Sequence, residues 1–316
     1  MGLRGRAPAV ALAAAALAAG GAGCGGGDAA APTTQTTAQA SPFAYDASRP
    51  LAFRDNGRVN SPYPVAVDDV SYAVPSGRVP AYLAKPNVGT KLPAVIYLHG
   101  SGEGRERFLL PAVWTAGRRA VGMTLTLPSS TTAAARGPLT PVQTLARDQR
   151  IFASDVVAVR RAVDVLRSLP QVDPGRIGLV GWSLGARVAA VAAGAEPRIR
   201  AVVLMSGGSE PVDAYAAQAP AALRPEIRRV LTPIDPLRWL GRAHPGSVLI
   251  QDGRKDEIVP RGALVALQKA APRGTVVRWY PAGHELNAQV YRDQLAFLAK
   301  KLPIDGPPVK GARTGP

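Results

Sequence analysis

Cysteine is nearly absent: Cys24 is the only one in 316 residues. No intramolecular disulfide can form, even though an exported chain would meet an oxidising compartment. Histidine is scarce as well. His99, His244 and His284 are the only three, so a general base of imidazole type must come from this short set. Acids are under-represented, with 22 Asp and Glu against 38 Lys and Arg, a formal charge of +16. That excess invites an anionic partner such as nucleic acid or a membrane surface. The arginines are scattered through nearly every segment with acids among them, and no run alternates basic with aromatic residues as a single-strand binder would. Nucleic acid is therefore not expected as a partner. There is no internal repeat, and the apolar stretch over residues 7–19 is too short to span a bilayer comfortably.

What is present is an ordinary globular balance: 47% hydrophobic and 19% charged residues, enough to bury a substantial core. A single large domain is the better reading at this length.

The N-terminus has a secretory layout. Arg4 and Arg6 precede the apolar stretch, which closes in Gly20-Gly21-Ala22-Gly23 before Cys24. Residues 1–23 are expected to be a signal peptide. The placement of Cys24 resembles the lipobox of bacterial lipoproteins, whose cysteine is lipidated, although Gly21 stands where such signals prefer Leu. Plain secretion is the alternative. Residues 24–44, rich in Gly, Ala, Thr and Gln, suit a flexible tether, and a folded domain is expected over 45–304 with a loose tail at 305–316.

From residue 65 onward short apolar runs alternate with helical patterns, the signature of a mostly parallel sheet covered on both faces. Residues 65–72 and 77–85 read as an antiparallel pair. Residues 93–98, 121–127, 177–180, 201–205, 247–250 and 275–280 read as further strands, about eight in all. Phe152, Val156, Val159, Val163 and Leu166 recur at helical spacing within 144–169. Helices are also expected over 184–193, ending at Gly194, over 261–270 and over 286–302, and residues 172–175 read as a turn. Residues 207–245 are a Pro- and Ala-rich excursion that reads as a small cap.

Ser183, in Gly181-Trp182-Ser183-Leu184-Gly185, falls between an apolar strand and an Ala-rich helix. A nucleophile there must sit on a tight, strained turn, and glycines two residues to either side relieve the clashes such a turn creates. Alone the pattern is weak in a chain of 33 glycines; its strand-to-helix context gives it weight. A neutral hydroxyl needs a base and an orienting acid. His284 follows the last strand and suits the base; His244 reads as a surface residue and His99 as an organiser of its own loop. Asp256 follows the 247–250 strand and suits the acid. Asp252, Glu257 and Asp213 compete, Asp252 being expected to serve its local turn. For the developing oxyanion, the backbone N–H groups of Leu184 and of Ser101, in the loop His99-Gly100-Ser101-Gly102-Glu103-Gly104, are the candidates, with Gly102 next.

Residues 172–185 and 253–260 carry a resemblance: the chain from about 65 to 302 looks like the α/β-hydrolase superfamily, particularly its dienelactone hydrolase and acyl-peptidase-like branches. The resemblance implies an α/β-hydrolase fold, a Ser183–Asp256–His284 triad and no metal or other cofactor. Dienelactone hydrolases proper use a cysteine nucleophile, so their substrate does not carry over. Peptidase relatives usually carry an extra propeller domain, for which this chain has no room. The expected activity is hydrolysis of small-molecule or envelope esters through an acyl-enzyme. A peptidase, or a tethered binding protein on a hydrolase scaffold, are the alternatives.

Overall fold

The computed structural model describes residues 41–60, 62–87, 90–132 and 138–304. The expected leader, Cys24, the tether up to residue 40 and the tail at 305–316 lie outside the described residues.

In chain order the elements are β1 (Arg54–Arg58), β2 (Ala66–Val74), β3 (Gly77–Lys85), β4 (Leu92–Leu98), α1 (Leu109–Ala116), β5 (Val121–Leu125), α2 (Pro128–Thr131), α3 (Pro141–Ser168), β6 (Val172–Trp182), α4 (Leu184–Ala195), β7 (Ile199–Met205), α5 (Val212–Ala217), α6 (Arg224–Leu231), α7 (Pro236–Leu240), β8 (Val248–Gly253), α8 (Arg261–Ala270), β9 (Val276–Tyr280) and α9 (Gln289–Lys301). The strands form one sheet in the order β1-β2-β3-β5-β4-β6-β7-β8-β9. The first three are antiparallel to their neighbours, and β5 through β9 run parallel with β4. This is the expected α/β architecture with nine strands rather than eight. The extra strand, β1, reads Arg-Asp-Asn-Gly-Arg and is exposed throughout, so it carries no apolar alternation; pairing with β2 makes it a strand.

Alternation along β4 shows how the core divides. Ala94, Ile96 and Leu98 pack on one face with α3 and α4, through Val156, Val159, Val163, Ala186 and Val191. Val95 and Tyr97 pack on the other with Phe108, Ala112, Val290 and Leu298. A strand buried on both faces must be apolar at every position, as β4 is. Phe43 is fully buried in the first cluster and meets Trp239 edge-on at 5.0 Å. The packed region thus reaches back into the segment expected to be tether.

Other boundaries moved as well. Helix α3 starts at Pro141, earlier than its apolar periodicity indicates, because Thr140 and Gln143 form a reciprocal capping box ahead of it. The expected turn at 172–175 lies within β6, where Leu92 pairs with Val172 but Ala94 with Ile177; the surplus residues bulge and the strand resumes. Helix α4 runs through Gly194 to Ala195. Glycine at 194 serves packing, since a Cβ there would run into the Trp239 carbonyl of α7. In the excursion, α6 packs on α3, and α7 on α4 and α8.

Candidate active site

The chain proceeds from β4 to β5 on one side and then crosses to β6 on the other side of β4. Such a switch in strand order opens a crevice at the carboxyl ends of the strands. Ser183 follows β6 there, and residues 99–104 follow β4. Ser183 has φ 55 and ψ −116, a conformation that costs a non-glycine residue about 1–3 kcal/mol. It is held from three directions: its N–H donates to the Met205 carbonyl (2.9 Å), and its carbonyl accepts from Ala186 (3.1 Å) and Arg187 (3.2 Å). The flanking glycines are needed as expected. A Cβ on Gly181 would collide with the Gly185 carbonyl, and one on Gly185 would lie 2.6 Å from the His99 carbonyl oxygen.

The structure brings Ser183, His284 and Asp256 together. His284 Nε2 lies 3.0 Å from Ser183 Oγ, and Nδ1 lies 2.9 Å from Asp256 Oδ2. An ionised carboxylate only accepts, so Nδ1 carries the proton and Nε2 presents its lone pair to the serine hydroxyl. Asp256 Oδ1 accepts from the Ile258 and Val259 N–H groups, both at 2.9 Å, which fixes the carboxylate plane. The Asp256 side chain is 1% exposed and that of His284 12%: the acid is sealed and the imidazole edge is reachable.

The competing residues sit elsewhere. Asp252 is not a turn residue: β8 continues through Gly253, placing Asp252 opposite Trp279 in the sheet and burying it completely. Its Oδ2 accepts from Gln268 Nε2 at 2.6 Å. Burial, with the Asp256 charge adding to it, pushes its carboxyl up to about 7. Asp213 is paired with Arg228 at the surface, and Glu257 is exposed. His244 is half-buried beside Arg200 and the Pro197 carbonyl. His99 is buried; Leu127 N–H donates to its Nε2 at 3.0 Å, so Nδ1–H is the donor to the Gly100 carbonyl at 2.7 Å. Burial lowers its pKa, in keeping with a neutral organising role.

Leu184 opens α4 directly after Ser183, where first-turn N–H groups have no intrahelical acceptor. On the opposite wall, Leu98 pairs with Gly181, so the chain after β4 runs alongside Trp182 and Ser183. Gly100 N–H is taken by Glu103 Oε2 at 3.1 Å; Ser101, exposed, supplies the next N–H.

Sequence reasoning missed the groups that hold His284. Trp182 Nε1 donates to its carbonyl at 3.0 Å and Ser206 Oγ donates to the same oxygen at 2.8 Å. Arg107 lies 4.5 Å over the Trp182 ring and pairs with Glu285 and, at 3.6 Å, Glu103. The one available signal was the aromatic residue inside the serine motif. Among the described residues no cluster of His, Cys, Asp and Glu could hold a metal ion.

The sequence matches the acetyl xylan esterase (AXE1) family model over residues 62–206 and the dienelactone hydrolase family model over 143–294. No curated protein matches it. Similar solved structures include the acetyl xylan esterase from Paenibacillus sp. R4, with TM-score 0.68 and 18% identity over 80% of this chain and 90% of that one. The acetyl xylan esterase 1 from Thermoanaerobacterium sp. JW/SL YS485 gives 0.63 and 19% over 80% and 88%. A cold-adapted esterase from an Arctic intertidal metagenomic library gives 0.55 and 16% over 78% and 97%. At these identities the structural likeness establishes the fold. Together with the two family matches, it identifies an α/β-hydrolase fold. Within it the chain stands on the esterase branch, as a carboxylic ester hydrolase.

Proposed function

We propose that the protein hydrolyses short-chain carboxylic esters, acetyl esters foremost, through an acyl-enzyme on Ser183. The observation that carries this reading is the continuous path Ser183 Oγ, His284 Nε2, His284 Nδ1, Asp256 Oδ2, with steps of 3.0 and 2.9 Å. His284 takes the serine proton as Oγ attacks the ester carbonyl, then returns it to the leaving alkoxide. The acyl group stays on Ser183 until a water, deprotonated by the same imidazole, displaces it. Asp256 holds the tautomer and stabilises the imidazolium. The N–H groups of Leu184 and Ser101 face the carbonyl oxygen as it gains charge, a contribution of roughly 10²–10³ in rate for each donor. Acetyl preference draws on the acetyl xylan esterase model match and on an excursion built only of short helices.

The test is labelling by a fluorophosphonate probe, followed by a chromogenic ester series of rising acyl length. Wild type should label while Ser183→Ala does not, and kcat/KM should fall beyond about four acyl carbons. Equal labelling of both proteins ends the nucleophile assignment; a preference for long chains ends the acetyl assignment.

We further propose, from the N-terminal sequence, that the chain is exported and tethered at the outer face of the cell membrane through a lipid on Cys24, placing the site among envelope esters.

A further inference from the structure

Most arginines near the sheet are committed. Arg105 makes a two-point contact with Asp69, Arg161 holds the carbonyls of Arg49 and Pro50, Arg198 pairs with Glu196 and Asp164, and Arg107 pairs with Glu285. Arg187 is different. Its guanidinium makes no hydrogen bond or ion pair with any described residue; the one contact recorded is the Phe152 ring, 5.8 Å away. Yet it is not a free surface side chain. Arg187 is solvent-reachable, while the surrounding protein desolvates its guanidinium enough to lower its pKa, with the Asp235 carboxylate acting in the opposite sense. The side chain is thus open to water and faces the Phe152 ring of α3.

The side chain is rooted beside the nucleophile. Arg187 is one helical turn beyond Ser183, and its own N–H is bonded to the Ser183 carbonyl at 3.2 Å. Residues four apart share a helix face, and side chains lean toward the helix N-terminus, here the Ser183 end. Phe152 of α3 lies 5.8 Å from the guanidinium, and the Asp235 carboxylate, which caps α7, the helix packed against α4, is near enough to act on its charge. Asp235 does not neutralise Arg187 directly: its Oδ1 accepts the Leu237 N–H at 2.9 Å, and no ion pair joins the two. A guanidinium that has lost part of its water and gained no acceptor offers a planar fork to a carboxylate.

We propose that Arg187 is a substrate-binding residue that recognises a carboxylate on the ester, so that the preferred substrates are anionic esters. This rests on Ser183 being the nucleophile. The carboxylate can belong to the acyl part or to the alcohol part, and the +16 charge of the chain favours the approach of either.

The experiment compares two pairs of similar size that differ in charge: 4-nitrophenyl hydrogen succinate against its methyl ester, read by nitrophenolate release, and 4-acetoxybenzoate against 4-acetoxybenzamide, read by chromatography. Wild type should favour the anionic member of at least one pair. In Arg187→Met that anionic-to-neutral ratio of kcat/KM should drop roughly ten- to hundredfold, chiefly through KM, with Arg187→Lys recovering part of it. The responding pair tells which side of the ester carries the carboxylate. A ratio unchanged in both pairs, or an equal fall of both members, overturns the proposal; so does a wild type that turns over neither pair. Ser183→Ala is run in parallel. If it retains hydrolysis, the nucleophile assignment fails, while the effect of Arg187→Met on the charge ratio is read as before.

Discussion

The indole N–H of Trp182 donates to the carbonyl of His284 at 3.0 Å, while the two rings lie 5.0 Å apart at 47°. The residue before the nucleophile thus holds the backbone of the residue that deprotonates it in the proposed mechanism. Ser206 Oγ binds the same carbonyl, and φ is positive at both Ser206 (48°) and Leu286 (60°), so local strain gathers where the imidazole must be held still.

Trp182→Phe keeps an aromatic ring at this position and removes the donor. A neutral hydrogen bond contributes about 1 kcal/mol net, so kcat should fall roughly three- to tenfold with KM nearly unchanged. Steady-state kinetics on 4-nitrophenyl acetate decide it. A rise in KM at constant kcat would assign Trp182 to substrate binding instead.

The two buried aspartates on either side of Gly253 should behave oppositely. Asp256→Asn leaves an amide that can donate where His284 Nδ1–H needs an acceptor, favouring the wrong tautomer; a loss of about 10⁴ in kcat is expected, by analogy with the serine-protease triad that supplies this magnitude. Asp252→Asn retains an oxygen for Gln268 and should leave kcat within about fivefold. If the two substitutions exchange effects, the acid has been misassigned.

Much of this was legible in the sequence, and the limits have physical causes. Strand β4 and the later parts of β6 and β7, residues 177–182 and 201–205, announce themselves because burial on both faces demands unbroken apolar runs, and the Ser183 turn because its geometry excludes a Cβ at Gly181 and Gly185. Asp252 and Asp256 could not be separated with certainty, since what distinguishes them is how far β8 extends, which pairing with β9 decides. Trp182, Ser206 and Arg107 act through contacts 102, 78 and 178 residues away in sequence, a separation no periodicity encodes.

Adding a methyl to Gly185 should be structural in effect. The Cβ would press on the carbonyls of Leu98 and His99, groups fixed at the end of β4. Overpacking of this kind costs about 1–3 kcal/mol, so Gly185→Ala should melt several degrees lower by calorimetry. An unchanged melting temperature would mean that the elbow has room the geometry denies.

The proposed lipidation of Cys24 has a direct consequence for fractionation. In a bacterial host with a lipoprotein pathway, wild type should sediment with membranes and incorporate labelled palmitate, and Cys24→Ser should do neither while retaining esterase activity. Recovery of wild type wholly in the soluble fraction would leave plain secretion as the account of residues 1–23.

Two carboxyls should make stability depend on pH. Asp155 and Asp252 are buried, and burial pushes both up to about 7 from an ordinary 3.8. Between pH 4 and 7 the folded protein keeps protons that the unfolded chain has released, so stability falls as pH rises through this window and levels off above it. Three pH units on one group correspond to up to about 4 kcal/mol. Asn at either position keeps the acceptor that Ser129 N–H or Gln268 Nε2 uses and removes the charge. Asp155→Asn and Asp252→Asn should therefore each raise the melting temperature at pH 8 and leave it nearly unchanged at pH 4. A gain of equal size at both pH values would trace the effect to packing and not to the buried charge.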